Sequence, residues 1–223
     1  MTEQNADFVI DDDISLEHEL RVISLRANAF SDDLMKNWNL EHDDHSDEQL
    51  RKVINNYVEN FSRLGKKGHG LLLYGPVGTG KTYAACAAAN ALIEREIPCL
   101  VTNFVKLSNK LQQSVERRQQ ALDDLKNYEL LVIDDLGAER STDYMNEVVY
   151  SVIDARYHSG LPMIITTNMD IEELKNPKST DCARIYDRIL ERCFPVKVDG
   201  PSRRRAAVRR NYDEIRAILY PEQ

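Results

Sequence analysis

Hydrophobic residues in this chain are concentrated in short runs, separated by longer stretches with helical periodicity. Residues 71–74, 130–133 and 163–165 are apolar without polar alternation, as is typical of strands buried on both faces of a sheet. Residues 99–103 and 194–198 complete a set of five predicted core strands. Because helical patterns alternate with these strands along the chain, the predicted fold class is α/β.

Amphipathic or Ala-rich segments predict the helices. Apolar residues recur at a spacing of three or four on the side expected to face the sheet. The predicted helices cover residues 47–61, 83–92, 105–111 with a continuation through 118, 142–160, 171–176 and 203–219. Leu107, Leu111 and Val115 are expected on one buried face. Ser141 or Thr142 is expected to cap the helix that ends near residue 160.

The N-terminal region is predicted to form a short extension, residues 1–46, followed by the main domain, residues 47–223. Residues 1–13 are acidic and patternless, so they are expected to be mobile. Ser15 is predicted to cap a helix ending at Ala27. An apolar stripe on this helix could bind a partner or cover the main domain, and the second interpretation is favoured. The stripe consists of Leu16, Leu20, Ile23 and Ala27.

One segment has the spacing of a phosphate-binding loop, G-x-x-x-x-G-K-[ST], between a predicted strand and a predicted helix. Its glycines allow backbone N–H groups to approach phosphate oxygens, and the helix N-terminus favours an anion. Lys81 is expected to contact the β- and γ-phosphates, and Thr82 to bind Mg²⁺. A Gly-rich turn without a ligand is the less favoured alternative. The predicted triphosphate site comprises Gly75, Pro76, Val77, Gly78, Thr79, Gly80, Lys81, Thr82 and Tyr83.

Acidic and amide side chains follow two other predicted strands. Asp134 and Asp135 end one apolar run, and Asn168 follows another. The carboxyl ends of the strands form the ligand-binding edge of open α/β sheets. Asp134 is expected to hold Mg²⁺ and Asp135 to polarise the water that attacks the γ-phosphorus. Asn168 would bind this water or the γ-phosphate, whereas a turn or capping role is the alternative for all three.

The order of these motifs resembles that of the AAA+ ATPases, and within them the DnaC/DnaI/IstB-like group of helicase loaders and transposition helpers. The resemblance covers residues 30–210 and rests on GPVGTGKT, LLVIDDLGAER, ITTNMDIEEL and RIYDRILERCFPVKVDGPSRRR. It implies a doubly wound, five-stranded parallel sheet with ATP and Mg²⁺ as ligands. It also implies self-assembly with ATP and single-stranded DNA as a partner. The resemblance assigns no adenine contacts, for which residues before Leu71 are the usual place in the family.

The same resemblance assigns roles to C-terminal arginines. It implies that Arg192 is an arginine finger, which enters the ATP site of a neighbouring subunit and compensates the charge of the leaving γ-phosphate. Arg188 is the second choice for this role. Arg204 is expected to be the second sensor of the nucleotide, with Arg203 as the alternative.

Asp135 departs from the pattern of the family, where a Glu usually follows the metal-binding Asp. The Asp side chain is one methylene shorter, and moving a catalytic group by about 1 Å can cost roughly a hundredfold in rate. We therefore expect slow hydrolysis, as in a switch rather than a motor. Glu139 is the alternative general base.

The net charge of −8 is unevenly distributed. Residues 1–60 contain fifteen Asp/Glu and five Lys/Arg, whereas residues 201–223 contain six Arg and three Asp/Glu. A nearly neutral body with local basic patches can bind DNA through its phosphates. In related proteins the region after the second strand carries DNA-binding helices, and a solvated helix face is the alternative here. The candidate DNA contacts are Lys106, Lys110, Arg117 and Arg118.

Three functions are compared. The favoured one is an ATP-dependent homo-oligomer that assembles on single-stranded DNA and loads a replicative helicase. The second is a transposition helper with ATP as a mainly structural ligand, and the third is a P-loop kinase for a small molecule, which would not need an arginine finger. No apolar stretch approaches the ~20 residues that span a bilayer. We therefore expect a cytoplasmic protein without a membrane contact.

Overall fold

The computed structural model describes residues 4–41, 47–112, 114–139, 142–177 and 179–220. Within this part of the chain, five parallel strands form one sheet in the order β2-β3-β4-β1-β5. The α/β class and the doubly wound five-stranded parallel sheet are thus confirmed. The strands are β1 Gly70–Tyr74, β2 Cys99–Asn103, β3 Leu130–Leu136, β4 Met163–Thr167 and β5 Cys193–Lys197.

Helices connect the strands and cover both faces of the sheet. Several begin at a capping side chain, and the Thr142 hydroxyl accepts a hydrogen bond from the Met145 N–H at the start of α7. Ser141, the other predicted cap, lies outside the described residues. The helices are α1 Gln4–Ala29, α2 Glu48–Glu59, α3 Phe61–Gly65, α4 Lys81–Ile93, α5 Phe104–Leu111, α6 Val115–Asp124, α7 Asp143–Ser159, α8 Ile171–Lys175, α9 Thr180–Arg192 and α10 Arg203–Leu219.

The core lies in two layers on opposite faces of the sheet. Leu71 and Leu73 of β1 pack with residues of α1, α2 and α4. Leu72 points to the other face and packs with residues of α5, α7 and α9. Because successive side chains of a strand point to opposite faces, an uninterrupted apolar run is what a strand covered on both sides requires. Burial on both faces therefore explains why the apolar runs in the strands are not interrupted by polar residues.

The structure corrects the prediction for the start of α1. The helix begins at Gln4, so Ser15 lies within it and does not cap it, and the segment predicted to be mobile is helical from residue 4 onward. Neither Gly nor Pro occurs between Gln4 and Ala29. The sequence therefore contains none of the residues that most strongly end a helix. The division of the chain at residue 46 stays a prediction.

α1 packs on the rest of the chain, as the favoured interpretation expected, but the face that packs is not the predicted apolar stripe. Val22 and Ala29 are buried in the core. The predicted stripe is instead exposed, with Leu20 retaining 58% of its accessible surface. Burial of Val22 and Ala29 sets the rotation of α1 about its axis, so the apolar stripe faces outward. Arg21 binds Glu96 at 2.9 Å and Arg26 binds Glu94 just beyond the end of α4, which adds exposed ion pairs to this contact.

A second correction concerns the helix after β2. The predicted single helix is two helices, α5 and α6, and Ser114 between them has an extended backbone. Leu107 and Leu111 are buried as expected, whereas Val115 is 80% exposed. Because α5 ends at Leu111 and α6 begins at Val115, Val115 does not continue the buried face of α5.

Candidate nucleotide-binding site

The loop between β1 and α4 is held in place by the start of α10. Gly80 has a φ of 101°, and a Cβ added there would lie 2.9 Å from the guanidinium carbon of Arg203. The Arg203 N–H donates a 2.9 Å hydrogen bond to the Gly78 carbonyl. At Gly78, a Cβ would lie 2.3 Å from the Ser202 hydroxyl oxygen. The glycines thus allow the C-terminal segment to lie directly against the loop.

Lys81 holds its ammonium group under the same loop. Its side chain is buried, and Nζ donates hydrogen bonds to the carbonyls of Gly75 at 2.8 Å and Pro76 at 2.7 Å. Burial lowers the pKa of Lys81, whereas the nearby carboxylates of Asp135 and Asp134 oppose this shift. A partly desolvated cation attracts an anion more strongly than a solvated one. The position of Lys81 therefore suits a phosphate ligand.

A cavity of about 300 Å³ brings the predicted motifs together. Residues of the loop, the end of β3, the end of β4 and the start of α10 all contribute to its wall. Gly75, Pro76 and Thr79 do not line it, and the Thr79 hydroxyl instead donates to the Pro76 carbonyl. The lining residues are Trp38, Val77, Gly78, Gly80, Lys81, Thr82, Tyr83, Asp135, Asn168, Arg203 and Arg204.

The two aspartates at the end of β3 point to different surroundings because the strand is irregular there. The pairing of β3 with β4 shifts register between Ile133 and Leu136, and Asp135 has a φ of 57°. Asp134 accepts a 2.6 Å hydrogen bond from the Thr166 hydroxyl. β-Bulges commonly redirect a side chain beside an active site. Here the irregularity places Asp135 in the wall of the cavity and Asp134 against β4.

Asp135 is better placed than Glu139 to act on a ligand in this cavity. Burial and the neighbouring Asp134 raise the pKa of Asp135, against the opposing effects of Lys81 and Arg204. Burial also raises the pKa of Glu139, but its carboxylate accepts a 2.9 Å hydrogen bond from the Gly137 N–H. Glu139 does not line the cavity. Of the two carboxylates, Asp135 is therefore the one in contact with the cavity.

Oxygen donors suited to Mg²⁺ lie at the same place. Thr82 lines the cavity, and Asp134 lies at the adjoining end of β3. Mg²⁺ is usually held by one or two carboxylates together with water and substrate phosphates. The part of the chain that the structure describes contains no cluster of three or more Cys, His, Asp or Glu residues that would hold a metal without such a ligand. These donors fit Mg²⁺ bound together with a triphosphate.

Residues from β4 and α10 complete the wall. Asn168 is exposed directly after β4, at the carboxyl end of the sheet. Arg203 and Arg204 begin α10, which is capped by the Ser202 hydroxyl. Both arginines line the cavity, so each alternative for the second sensor lies beside the site.

Trp38 is a wall residue that the sequence analysis missed. Its ring lies 5.4 Å from the ring of Tyr83, centroid to centroid, with an interplanar angle of 31°. The Asn90 amide donates to the Trp38 carbonyl at 2.8 Å, and the Tyr83 hydroxyl donates to the Asn39 carbonyl at 2.7 Å. A useful signal was available in the sequence, since this is the single Trp of the chain. An aromatic ring at this position can stack on a nucleobase.

The predicted arginine fingers lie away from this cavity, near the opposite end of β1. Residue 193, directly after Arg192, pairs with Gly70 at the start of that strand. The Arg192 guanidinium lies 4.7 Å from the centre of the Tyr157 ring. Arg188 forms a 2.7 Å ion pair with Asp154. Neither arginine therefore contributes to the nucleotide cavity of its own chain.

The candidate DNA contacts lie on α5 and α6. Lys106, Lys110 and Arg117 are exposed, as expected for side chains that point away from the core, whereas Arg118 is half-buried. Arg118 also binds Glu147 at 2.8 Å, so part of its charge is compensated within the chain. In the described residues no helix is both long and apolar enough to cross a membrane.

The parallel sheet and the loop-lined cavity define a P-loop, ATP-binding protein with the AAA+ fold. Residues 7–211 match the family described as IstB-like ATP binding protein, and the chain belongs to this family. The resemblance to the DnaC/DnaI/IstB-like group is thereby confirmed.

Individual relatives include helicase loaders and an insertion-sequence protein. The replicative helicase loader DnaI of Bacillus subtilis is 30% identical over 163 residues, which are 68% of this chain and 52% of the relative. A putative insertion sequence ATP-binding protein of Sinorhizobium fredii is 32% identical over 148 residues, 63% of this chain and 49% of the relative. A crystal structure of DnaI has a TM-score of 0.65 and 29% identity, over 80% of this chain and 98% of that one. The chain spans about half the length of the curated relatives it matches.

Proposed function

We propose that the protein binds Mg·ATP, hydrolyses it slowly, assembles on single-stranded DNA and loads a replicative helicase. The observation that carries the proposal is the cavity where Lys81, Asp135, Asn168 and Arg204 meet. A site that only stored a nucleotide would not need a carboxylate and an amide facing the phosphate loop. The similarity to a replicative helicase loader supports the choice of partner.

The side chains of the cavity have distinct roles in this proposal. Lys81 binds the β- and γ-phosphates, while Thr82 and Asp134 hold Mg²⁺, which neutralises phosphate charge when bound. Asp135 accepts the proton of the attacking water, and Asn168 orients that water. Arg204 contacts the γ-phosphate and so links its presence to the position of α10. The short side chain of Asp135 keeps turnover slow.

A neighbouring copy completes the site with Arg192. This arginine lies at the other end of β1 from the phosphate loop, as a group acting between subunits requires. Its Nε is buried and has no hydrogen-bond partner among the described residues. Arg188, the alternative, also has a buried nitrogen without a partner, Nη1, but its Nη2 forms an ion pair with Asp154. Arg192 forms no ion pair among the described residues, and a guanidinium without a carboxylate partner is the better candidate for binding a phosphate.

DNA binding is assigned to the exposed cations of α5 and α6. Lys110 and Arg117 are the stronger candidates, because Arg118 is paired with Glu147 and the Lys106 ammonium donates a hydrogen bond to the Ser31 hydroxyl. Such contacts to phosphates would make the affinity fall steeply with salt. Binding is expected to be independent of sequence, because these side chains lie on a helix surface and not in a pocket for a base.

A transposition helper is the second candidate function. The family description and the similarity to an insertion-sequence ATP-binding protein favour it. The two functions share the nucleotide site and differ in the partner, so the nature of the partner separates them.

Capture of the host's replicative helicase by the purified chain tests the proposal. With Mg·ATP and single-stranded DNA present, the wild-type chain is expected to retain the helicase, whereas Lys81→Ala is not. A transposase retained in place of the helicase would support the second candidate. Retention of neither protein, with ATP binding intact, would contradict both.

A further inference from the structure

The C-terminal helix exposes an apolar stripe along its length. The side chains concerned recur at spacings of four, three and four residues, which places them on one face of a helix. Tyr212 and Leu219 keep 68% and 66% of their accessible surface. Apolar rows of this kind normally pack against a second element. The α10 stripe consists of Val208, Tyr212, Ile215 and Leu219.

The exposed stripe of α1 has the same spacing. Its residues also follow one another at intervals of four, three and four, and all four are exposed. Alternating spacings of three and four produce the narrow seam of two-stranded helical packing. The α1 stripe consists of Leu16, Leu20, Ile23 and Ala27. Two matching seams are thus available on one chain.

The charges of the two helices are opposite. The α1 sequence contains six Asp/Glu and two Arg, a formal charge of −4. The α10 sequence contains six Arg and two Asp/Glu, a formal charge of +4. Pairing α1 with α1, or α10 with α10, would bring like charges together, whereas pairing α1 with α10 joins opposite charges. Most of this charge precedes the stripes, at Asp7, Asp11, Asp12 and Asp13 in α1 and at Arg203, Arg204 and Arg205 in α10. The charges therefore favour a mixed pair in which these two N-terminal ends lie side by side.

We propose that α10 of one copy packs on α1 of the next copy through these two stripes. The occupant of each stripe is thus a second copy of this chain. A contact between two different surfaces repeats from copy to copy and builds a ring or an open helical assembly. The inference rests on the proposed function, because it names the surfaces through which the ATP-dependent assembly forms.

The nucleotide site lies at the base of α10, which couples assembly to the ligand. The Arg203 N–H binds the Gly78 carbonyl of the phosphate loop, and Arg204 lines the cavity. A triphosphate bound by Arg204 fixes the first turn of α10 and with it the direction of the stripe. Mg·ATP is therefore expected to favour the α1–α10 contact.

Sedimentation velocity with saturating Mg·ATP tests the contact through single substitutions. Leu20→Asp and Ile215→Asp place a charge in the seam, and each is expected to raise the concentration needed for assembly by at least about tenfold. Ile218→Asp is the matched control, because Ile218 is 71% exposed but lies roughly 90° around α10 from the centre of the stripe. The control is expected to assemble like the wild-type chain. All variants should melt and bind ATP as the wild type does.

Mixing the two variants gives a second test. Leu20→Asp keeps an intact α10 and Ile215→Asp keeps an intact α1, so one copy of each can form a single mixed contact. At a concentration where each variant alone is monomeric, the mixture is expected to form dimers and no larger species. Only a contact between two different surfaces gives this result.

Each failure has a distinct meaning. Wild-type-like assembly of Ile215→Asp would overturn the α1–α10 contact and leave ATP-dependent assembly standing. A wild-type chain that remains monomeric with Mg·ATP would overturn both. Lower thermal stability of monomeric Ile215→Asp would show that α10 packs within its own chain. Loss of single-stranded DNA binding by Ile215→Asp, without a change in assembly, would assign the α10 surface to DNA instead.

Discussion

The Thr166 hydroxyl donates a 2.6 Å hydrogen bond to the carboxylate of Asp134. The same oxygen accepts the Asp135 N–H at 2.9 Å. Thr166 is fully buried, so both bonds are protected from water. One hydroxyl therefore fixes the metal-binding candidate through its side chain and the candidate base through its backbone.

Thr166→Val is expected to weaken the use of Mg²⁺. The substitution keeps the shape of the side chain but removes both hydrogen bonds from the end of β3. Loss of a hydrogen bond that orients a metal ligand typically costs roughly ten- to a hundredfold in metal affinity or activity. The Mg²⁺ concentration for half-maximal ATP turnover is expected to rise accordingly.

Thr102→Val is the matched control for this substitution. Thr102 is also buried, on the edge strand β2, and it does not line the cavity. The control should leave the Mg²⁺ dependence unchanged. An equal shift in both variants would mean that general loosening of the sheet, and not the bond to Asp134, was responsible.

Asp135→Asn is expected to reduce ATP turnover by about a hundredfold or more, because general bases contribute roughly 10²–10⁴-fold to rate. ATP binding should remain, since Lys81 and the loop are untouched. Glu139→Gln is the comparison, and it should turn over ATP at nearly the wild-type rate. If Glu139→Gln instead lost turnover and Asp135→Asn retained it, the base would be Glu139.

The pH dependence of turnover gives a second readout of Asp135. A base acts in its deprotonated form, and burial together with Asp134 raises the pKa of Asp135. Activity should therefore be lost on acidification at a pH above the usual Asp value of about 3.9. Turnover that persists unchanged through this range would contradict the role of Asp135.

The motif residues were predictable because their spacing is local. Lys81 and Thr82 follow Gly80 in a fixed pattern, and Asp135 ends an apolar run, so each was identified without knowledge of the fold. Thr166 and Trp38 were not, since their roles depend on contacts with segments far away in the chain. The sequence of Trp38 and its neighbours resembles an ordinary loop.

The face of α1 that is buried also depends on contacts that the local sequence does not show. Periodicity identified an apolar stripe on α1, but a different face, with Val22 and Ala29, is the one that packs on the core. Apolar spacing cannot distinguish a stripe that packs on its own chain from one that faces outward. The break before Val115 was not predicted for a related reason: an amphipathic pattern can continue across two separate helices.

Trp38 should report directly on nucleotide binding. It is the only Trp in the sequence and lines the cavity, so its fluorescence is expected to change during titration with Mg·ATP. Lys81→Ala should abolish the change at the same ATP concentration. Inorganic tripolyphosphate, which has no base, should produce a smaller change than ATP. An equal response to both ligands would contradict a base contact.

Two inactive variants are expected to restore turnover when mixed. Lys81→Ala cannot bind ATP but offers Arg192 to its neighbour, whereas Arg192→Ala binds ATP but offers no finger. In mixed assemblies an intact site forms where an Arg192→Ala subunit binds ATP and its neighbour, a Lys81→Ala subunit, supplies Arg192. Turnover of the mixture should therefore exceed the sum of the separate activities. A mixture with Arg188→Ala in place of Arg192→Ala tests the alternative finger. Restoration there, together with full activity of Arg192→Ala alone, would reassign the finger to Arg188.

Arg156 is expected to be the most sensitive position for stability outside the nucleotide site. It is 1% exposed, and its guanidinium donates hydrogen bonds to four backbone carbonyls. These carbonyls belong to Leu125, Tyr128, Glu129 and Pro162. The side chain thus ties α7 to the segments that enter β3 and β4.

Arg156→Met keeps the length of the side chain and leaves these carbonyls without their donor. A buried group left unsatisfied costs about 1–3 kcal/mol, so the free energy of unfolding should fall by roughly 3 kcal/mol or more. For a chain of this size that corresponds to a melting temperature lower by about 10 °C. Arg63→Met, at an exposed position, is the control and should melt like the wild-type chain. Equal melting of the two variants would mean that water replaces the guanidinium at no cost.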